Sequence, residues 1–246
     1  MIRALHTAAA GMESQQINID VIANNLANVN TNGFKTVRAD FEDLLYQTLR
    51  PAGATAAGGT QLPSGLQVGL GSRPAATSGL FTTGALQVTG NPLDVAIDGA
   101  GFFAVQTPQG VRYTRNGAFQ LNAGGMLTTR AGDLVLGEGN QPIRVPPNAT
   151  VQIGEDGTVL ANGTRVARLL IVQGDLTKSP NGDFVGVAQP VANPRVVAGA
   201  LETSNVSMVR EMVTMIELIR AYETHQKIIH AHDDTLQRAI NELPKI

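Results

Sequence analysis

The sequence predicts an α+β fold. A discontinuous coiled-coil domain from the N- and C-terminal helices carries an inserted, mainly antiparallel β domain and an extended β arm. Three observations predict it. Apolar residues recur at alternating spacings of three and four at both ends of the chain. The long stretch between them is rich in Gly, Thr, Val and Asn and carries strand and turn signals instead. Within that stretch, residues 50–71 are mostly Pro, Gly, Ala, Ser and Thr, with too few large apolar side chains to fold alone.

The first element is a helix from Ile2 to Val29, with a row of Ile2, Leu5, Ala9, Met12, Gln16, Ile19, Ala23 and Leu26. At ~1.5 Å per residue it is about 40 Å long. Gly11 weakens it by about 1 kcal/mol relative to Ala. The stop is Asn28-Val29-Asn30-Thr31-Asn32-Gly33, because Asn and Gly tolerate the left-handed conformation that ends helices. Thr36 to Leu49 reads either as a short helix or as an extended arm. Residues 50–71 are a loop, linker or arm ordered by neighbours, with strand character returning near Gln67 to Gly69.

A β region follows. Short apolar runs at 85–88, 94–98, 102–105, 111–115, 119–121, 126–129, 134–136, 151–153, 159–160 and 167–172 are separated by turn residues. Asn116-Gly117 and Asn162-Gly163 are hairpin signals. Many short strands at this spacing predict an antiparallel sandwich or barrel-like domain. Residues 182–200, rich in Pro and Val, are expected to return the chain to the helical end. A second helix then starts with Ser204 or Asn205 as N-cap and runs to about Glu242, before Pro244. Its row is Met208, Met212, Met215, Ile219, Tyr222, Gln226, Ile229, Asp233, Leu236, Ile240 and Leu243. The division follows: 1–35 with 202–246 as the helical core, 36–85 with 183–201 as a connecting arm and β region, and 86–182 as the outer β domain.

Composition narrows the function. A net charge of −2 over 246 residues excludes the electrostatic footprint of nucleic-acid binding. The absence of cysteine excludes disulfides and thiolate chemistry. With 4% aromatics and no Trp, the core must rest on Val, Leu, Ile and Ala. No run approaches the ~18 apolar residues of a membrane span, and the first residues lack the apolar core of a cleavable signal peptide.

Candidate chemistry reads weakly. His225, His230 and His232 beside Asp233 and Asp234 read better as a solvated helix face plus one seam position than as a metal site. Gly99-Ala100-Gly101 lacks the third glycine and following helix of a dinucleotide loop. Glu155-Asp156-Gly157 reads as a hairpin turn, since it lacks a calcium ladder. Ser64 and Ser78 have no readable His and Asp partners. Met208, Met212 and Met215 suit a promiscuous peptide groove less well than helix packing. No catalytic residue, cofactor or metal is expected.

Ala23-Asn24-Asn25-Leu26-Ala27-Asn28-Val29-Asn30-Thr31-Asn32-Gly33-Phe34-Lys35 resembles the N-terminal signature of the bacterial flagellar rod and hook family of axial proteins. Glu202-Thr203-Ser204-Asn205-Val206, with Met212 to Ile216 and Arg220-Ala221-Tyr222-Glu223, resembles that family's C-terminal signature. Asp94 to Phe103 and Tyr113-Thr114-Arg115-Asn116-Gly117 match its centre. The resemblance spans essentially the whole chain. Phe41 to Thr48, with the following segment to Leu62-Pro63-Ser64-Gly65, is similar to the distal-rod branch, in which an extended arm locks neighbouring subunits.

What the resemblance implies is a structural subunit of the distal rod, polymerising into a rigid helical tube that transmits torque from motor to hook. Its partners would be its own copies, proximal rod subunits and hook protein at the two ends, the surrounding P- and L-ring proteins, and the flagellar type III export apparatus. Nucleic acid and direct membrane insertion are not implied. The place is the basal-body rod crossing the periplasm, reached without a cleaved signal. Assembly contacts would come from Ile2, Leu5, Met12, Ile19, Leu26, Met208, Met212, Met215, Ile219, Tyr222, Ile229, Leu236 and Ile240. The motif turn is Asn24, Asn25, Asn28, Asn30, Thr31, Asn32, Gly33 and Phe34. The stiffening arm includes Tyr46, Gln47, Arg50, Pro51, Leu62, Pro63 and Gly65. Two alternatives stay open: another axial subunit, proximal or hook-like, and a ligand-binding β domain with oligomerising ends.

Overall fold

Two helices bracket a strand-rich middle in a computed structural model that describes residues 2–50, 65–147, 149–179 and 182–242. The chain divides into two units. One comprises Met1–Asn24, Val37–Ser78 and Val209–Ile246; the other comprises Asn25–Thr36 and Gly79–Met208.

Most of α1 (Ile2–Ala27) lies in the first unit; the helix ends two residues short of the expected Val29, immediately before the first Asn of the Asn-rich turn. The chain then runs through β1 (Val37–Asp43), β2 (Tyr46–Arg50), β3 (Leu66–Gly69) and β4 (Ser72–Gly79). β1 pairs with β4 and β2 with β3, with Tyr46 opposite Gly69 and Gln47 opposite Val68. The Leu44 amide donates to the Gly71 carbonyl at 2.9 Å, joining the two halves into one long ribbon. Thr36 to Leu49 is therefore arm and not helix. Residues 72–79 fall in the stretch where strand character runs from Gln67 on to Val88, and they pair with the edge of β1. Pro51, Leu62 and Pro63 lie outside the described residues.

The second unit is built on β5 (Leu86–Val88), β6 (Val95–Ile97), β7 (Phe102–Thr107), β8 (Gly110–Thr114), β9 (Phe119–Leu121), β10 (Leu127–Thr129), β11 (Leu134–Gly137), β12 (Gln141–Pro142), β13 (Val151–Ile153), β14 (Thr158–Ala161), β15 (Thr164–Arg168), β16 (Ile171–Lys178), β17 (Phe184–Pro190), β18 (Val196–Ala198) and β19 (Ala200–Glu202). The largest sheet runs β16-β17-β8-β7-β11-β10-β9. β16 also pairs with β7, so strands β7, β8, β17 and β16 form a closed ring. β13, β14 and β15 form a separate antiparallel sheet.

The core explains the sequence of β7. Alternate side chains of a strand point to opposite faces. Phe103 and Val105 enter a cluster with Ile97, Leu127, Val135, Val159 and Ile171. Phe102 and Ala104 enter a second cluster with Leu136, Leu170, Val172, Leu176 and Phe184. Both faces are covered, so Phe-Phe-Ala-Val is a continuous apolar run with no polar alternation. Phe81 closes the second cluster edge-on, its ring centre 5.5 Å from those of Phe102 and Phe184.

Three expectations are refined or corrected. Residues 182–200, expected to return the chain to the helical end, carry β17, β18 and the first residue of β19; β18 pairs with β6 and β19 with β5. Those partners lie about a hundred positions upstream, where local patterning cannot find them. The run 167–172 is split, since the chain leaves the small sheet after Arg168 and enters the large one at Ile171. Finally, α2 (Met208–Glu242) begins later than expected, and neither Ser204 nor Asn205 caps it. Ser204 Oγ accepts from the nearby Val206 amide, and the Asn205 amide is engaged elsewhere.

Candidate assembly surfaces and a buried charged junction

The four sequence signatures meet in one place in the second unit. Glu202, at the end of β19, is buried, with 1% of its surface exposed. Its Oε1 accepts from Lys35 Nζ at 2.6 Å and from the Gly84 amide at 2.8 Å. Its Oε2 accepts from Arg115 Nε. Lys35 also donates to the Thr82 carbonyl at 2.7 Å. The Arg115 guanidinium donates to the carbonyls of Ile97, Gly99 and Gly101.

Two cations face one carboxylate here, and all three are almost wholly buried. A buried charge is tolerated only when it is paired and hydrogen-bonded. The carbonyls of residues 97, 99, 101 and 82 supply the remaining negative potential. Burial pushes the Lys35 ammonium below the usual lysine pKa, and its bond to Glu202 only partly offsets this.

The motif turn docks on the same site. The Gly33 amide donates to the Glu202 carbonyl at 2.8 Å. Gly33 has φ +70°, and a Cβ there would lie 2.5 Å from the Arg115 carbonyl carbon, so only glycine fits. Upstream, the Asn28 amide donates to Asn25 O, Thr31 N to Asn28 O, Phe34 N to Thr31 O, and Thr31 Oγ1 to Asn28 Oδ1. Asn25 is buried, while Asn24, Asn30 and Thr31 are exposed and Asn32 is half-buried. Lys178 Nζ sits 3.7 Å from the centre of the Phe34 ring, and burial lowers its pKa as well.

Next to the charges, the Asn205 side chain joins three segments. Oδ1 accepts from the Thr36 amide at 2.8 Å and from Thr36 Oγ1 at 2.7 Å. Nδ2 donates to the Leu80 carbonyl at 2.8 Å and to Thr82 Oγ1 and O at 3.0 and 3.2 Å. Lys35, Arg115, Glu202 and Asn205 were legible only as letters within motifs. Their joint role had no signal in local spacing.

The helices tell a different story. In α1, Ala8, Ser14 and Ile22 are the deepest positions of the first unit's part, and Leu5, Met12 and Ile19 are half-buried, as is Leu26 beyond it. The Ile2 side chain lies outside the described residues. In α2 the half-buried row is Met215, Leu218, Tyr222, His225, Ile229, His232 and Leu236, at spacings of three and four. It shares every second member with the expected row but takes Leu218, His225 and His232 where the sequence suggested Ile219, Gln226 and Asp233. His225 packs against α1: a Cβ on Gly11 would lie 3.6 Å from its Cε1. The Nδ1 atoms of His225 and His232 are buried without a hydrogen-bond partner.

A second α2 face is apolar and open. Val209, Met212, Val213, Ile216 and Ile219 are each 41–73% exposed, and Met208 and Ile240 are exposed too. The arm is similar. Leu45, Tyr46, Leu49, Leu66 and Val68 are exposed along β2 and β3; Gln47 is exposed on the same ribbon, and Gly65 precedes it. A hydrogen bond to Asp43 raises the Tyr46 pKa.

Motifs used for internal fastening, with apolar side chains carried outward on a helix and a two-stranded ribbon, define a structural assembly subunit. Comparison with known proteins gives its family. Residues 5–35 match the flagella basal body rod protein family, residues 96–161 the D1 domain of the flagellar hook protein FlgE/F/G family, and residues 197–242 the C-terminal region of the flagellar basal body rod FlgEFG proteins. The flagellar basal-body rod protein FlgG of Buchnera aphidicola subsp. Schizaphis graminum is 41% identical, over 97% of this chain and 98% of its own. FlgG of Borreliella burgdorferi is 40% identical, over 98% of each. A rod protein of another name, FlgF of Caulobacter vibrioides, is 35% identical over the whole of both chains. The chain belongs to the flagellar basal-body rod protein family, and is a structural subunit of the rod in the basal body. Among the described residues no helix is long and apolar enough to cross a membrane.

Proposed function

We propose that the chain builds the distal section of the rod, polymerising into a rigid helical tube that carries torque from motor to hook. The observation that carries this is the open apolar face of α2. A contiguous apolar face left in water marks an interaction surface, and identical subunits meeting through unlike faces form open helical polymers. The terminal helices form a coiled-coil core, whose contacts are the rows through Leu5, Met12, Ile19 and Leu26 and through Met208 to Ile240. The chain falls into three parts, with 36–85 and 183–201 connecting that core to the outer β domain 86–182.

The exposed ribbon supports the distal assignment. A two-stranded ribbon is marginal by itself in water, so neighbouring subunits cover it and the arm around Tyr46, Gln47 and Gly65 stiffens the tube. At its ends the polymer meets proximal rod subunits and hook protein. The P- and L-rings surround it, and the type III export apparatus delivers it. The subunit needs no catalytic group.

The identity to a rod protein of another name keeps one second reading, another axial subunit such as a proximal rod or hook-like one. Electron microscopy of basal bodies separates the two. A strain lacking this chain should show a short rod with no hook, and deletion of residues 50–65 should give a bent rod. Intact basal bodies and normal motility in the full deletion would remove the rod role. A stub consisting of little more than the rod base would favour the proximal position.

A further inference from the structure

We infer that Asn205 is a three-way clip that holds the connecting segments of the second unit in fixed register. The chain passes between the two units at residues 24/25, 36/37, 78/79 and 208/209. Three of these crossings lie within four residues of the Asn205 amide or its partners. Thr36 precedes one, Leu80 and Thr82 follow another, and Asn205 itself stands just before the third.

The chemistry requires an asparagine. On one side the amide meets the Thr36 N–H, which can only donate. On the other it meets the Leu80 and Thr82 carbonyls, which can only accept. A carboxamide presents both characters on one planar group, and these partners dictate its orientation. Aspartate would set a carboxylate against two carbonyl oxygens, and alanine would remove the acceptor for the Thr36 N–H and the donor to the Leu80 carbonyl, leaving the Thr82 carbonyl with Lys35.

The surrounding bonds turn the clip into a seam. Leu80 N donates to Thr36 O at 2.8 Å, Asn205 N to Phe34 O at 3.4 Å, and Thr203 N and Oγ1 to Ala85 O at 2.8 and 3.0 Å. Lys35 and Glu202 tie the same three segments from the buried side, through Thr82 O and the Gly84 amide. Moving one segment against another therefore breaks several bonds together. Asn205 is a positioning residue: it sets how the segments leave the β domain, and so how load enters it. That last consequence rests on the rod reading, while the clip itself does not.

Amide hydrogen exchange on the full-length, unassembled subunit tests it. In Asn205→Ala the amides of Thr36, Leu80 and Thr203 should exchange at least about tenfold faster, while those of Val105 and Val135 in the core keep their rates. In Asn205→Asp the acceptor survives. Thr36 should then stay protected while Leu80 and Gly84 accelerate, and this variant carries the test if the alanine variant does not fold. Unchanged rates at Thr36 and Leu80 would overturn the inference. So would an equal acceleration of all amides, Val105 and Val135 included, because that marks general destabilisation. Either failure would leave the rod assignment standing.

Discussion

At the scale of single residues, Glu202 decides the most. It balances two buried cations, so removing its charge while keeping its shape leaves Lys35 and Arg115 facing each other with only carbonyl partners. Breaking a buried pair in this way costs about 3–5 kcal/mol. Glu202→Gln should therefore lower the stability of the β domain by that amount in urea unfolding, and a loss under about 1 kcal/mol would mean the carbonyls suffice. Lys35 gives a pH signature. Its folded pKa lies below 10.5, chiefly through burial. Between that depressed value and 10.5 the unfolded chain binds more protons, so stability rises with pH across this window. The contribution is fully present above 10.5 and is lost as pH falls through the folded value. Lys35→Met should remove this alkaline rise, seen as a flatter urea midpoint against pH than in the parent. Parallel curves for the two proteins would deny it.

At the scale of elements, the clearest lesson is α2. Period alone predicts a helix with a seam, and Met215, Tyr222, Ile229 and Leu236 do lie on the half-buried row. The members between them are ambiguous in the sequence, because each position has a neighbour of the same character. Leu218 and Ile219 are both apolar; His225 and Gln226, like His232 and Asp233, are both polar. At one of these positions the partner is visible: His225 packs against Gly11 of α1. The contact at Gly11 yields a prediction opposite to the usual one for a packed glycine. A Cβ there meets His225 at ordinary van der Waals distance, and the helix gains about 1 kcal/mol from Ala over Gly. Gly11→Ala should thus raise the thermal stability of the helical unit, monitored by circular dichroism at the helix band. A lower midpoint would show that the two helices need a closer approach than this.

At the scale of the whole molecule, folding and assembly separate. The side chains that stabilise the subunit are Phe102, Phe103 and the charged junction. Val209, Met212, Val213, Ile216 and Ile219 are exposed apolar side chains, which the proposed rod contacts would cover. Met212→Lys with Ile216→Lys should leave unfolding of the free subunit within about 0.5 kcal/mol of the parent, since both sites are exposed. The same pair should abolish rod formation, scored by swimming in soft agar and by microscopy of basal bodies. Normal swimming would show that this face is solvent-exposed in the rod. Polar Gln16, Gln226 and Asp233 are exposed in the subunit. Any effect of Leu at those positions on assembly specificity would thus be read in rods, not in the free chain.

The sequence by itself determined the helical ends, the Asn-rich stop, most of the short strands and the family signatures, because each rests on neighbours within a few positions. Tertiary structure alone decided the rest. It chose the partners of residues 72–79 and 196–202, pairing them with β1, β6 and β5 far away in the chain. It withdrew Asn205 from capping α2 to join Thr36, Leu80 and Thr82. It also brought Lys35, Arg115 and Glu202 together across separations of 87 and 167 residues. A buried charge is stable only beside its counter-charge. No local pattern records where in the chain that partner lies.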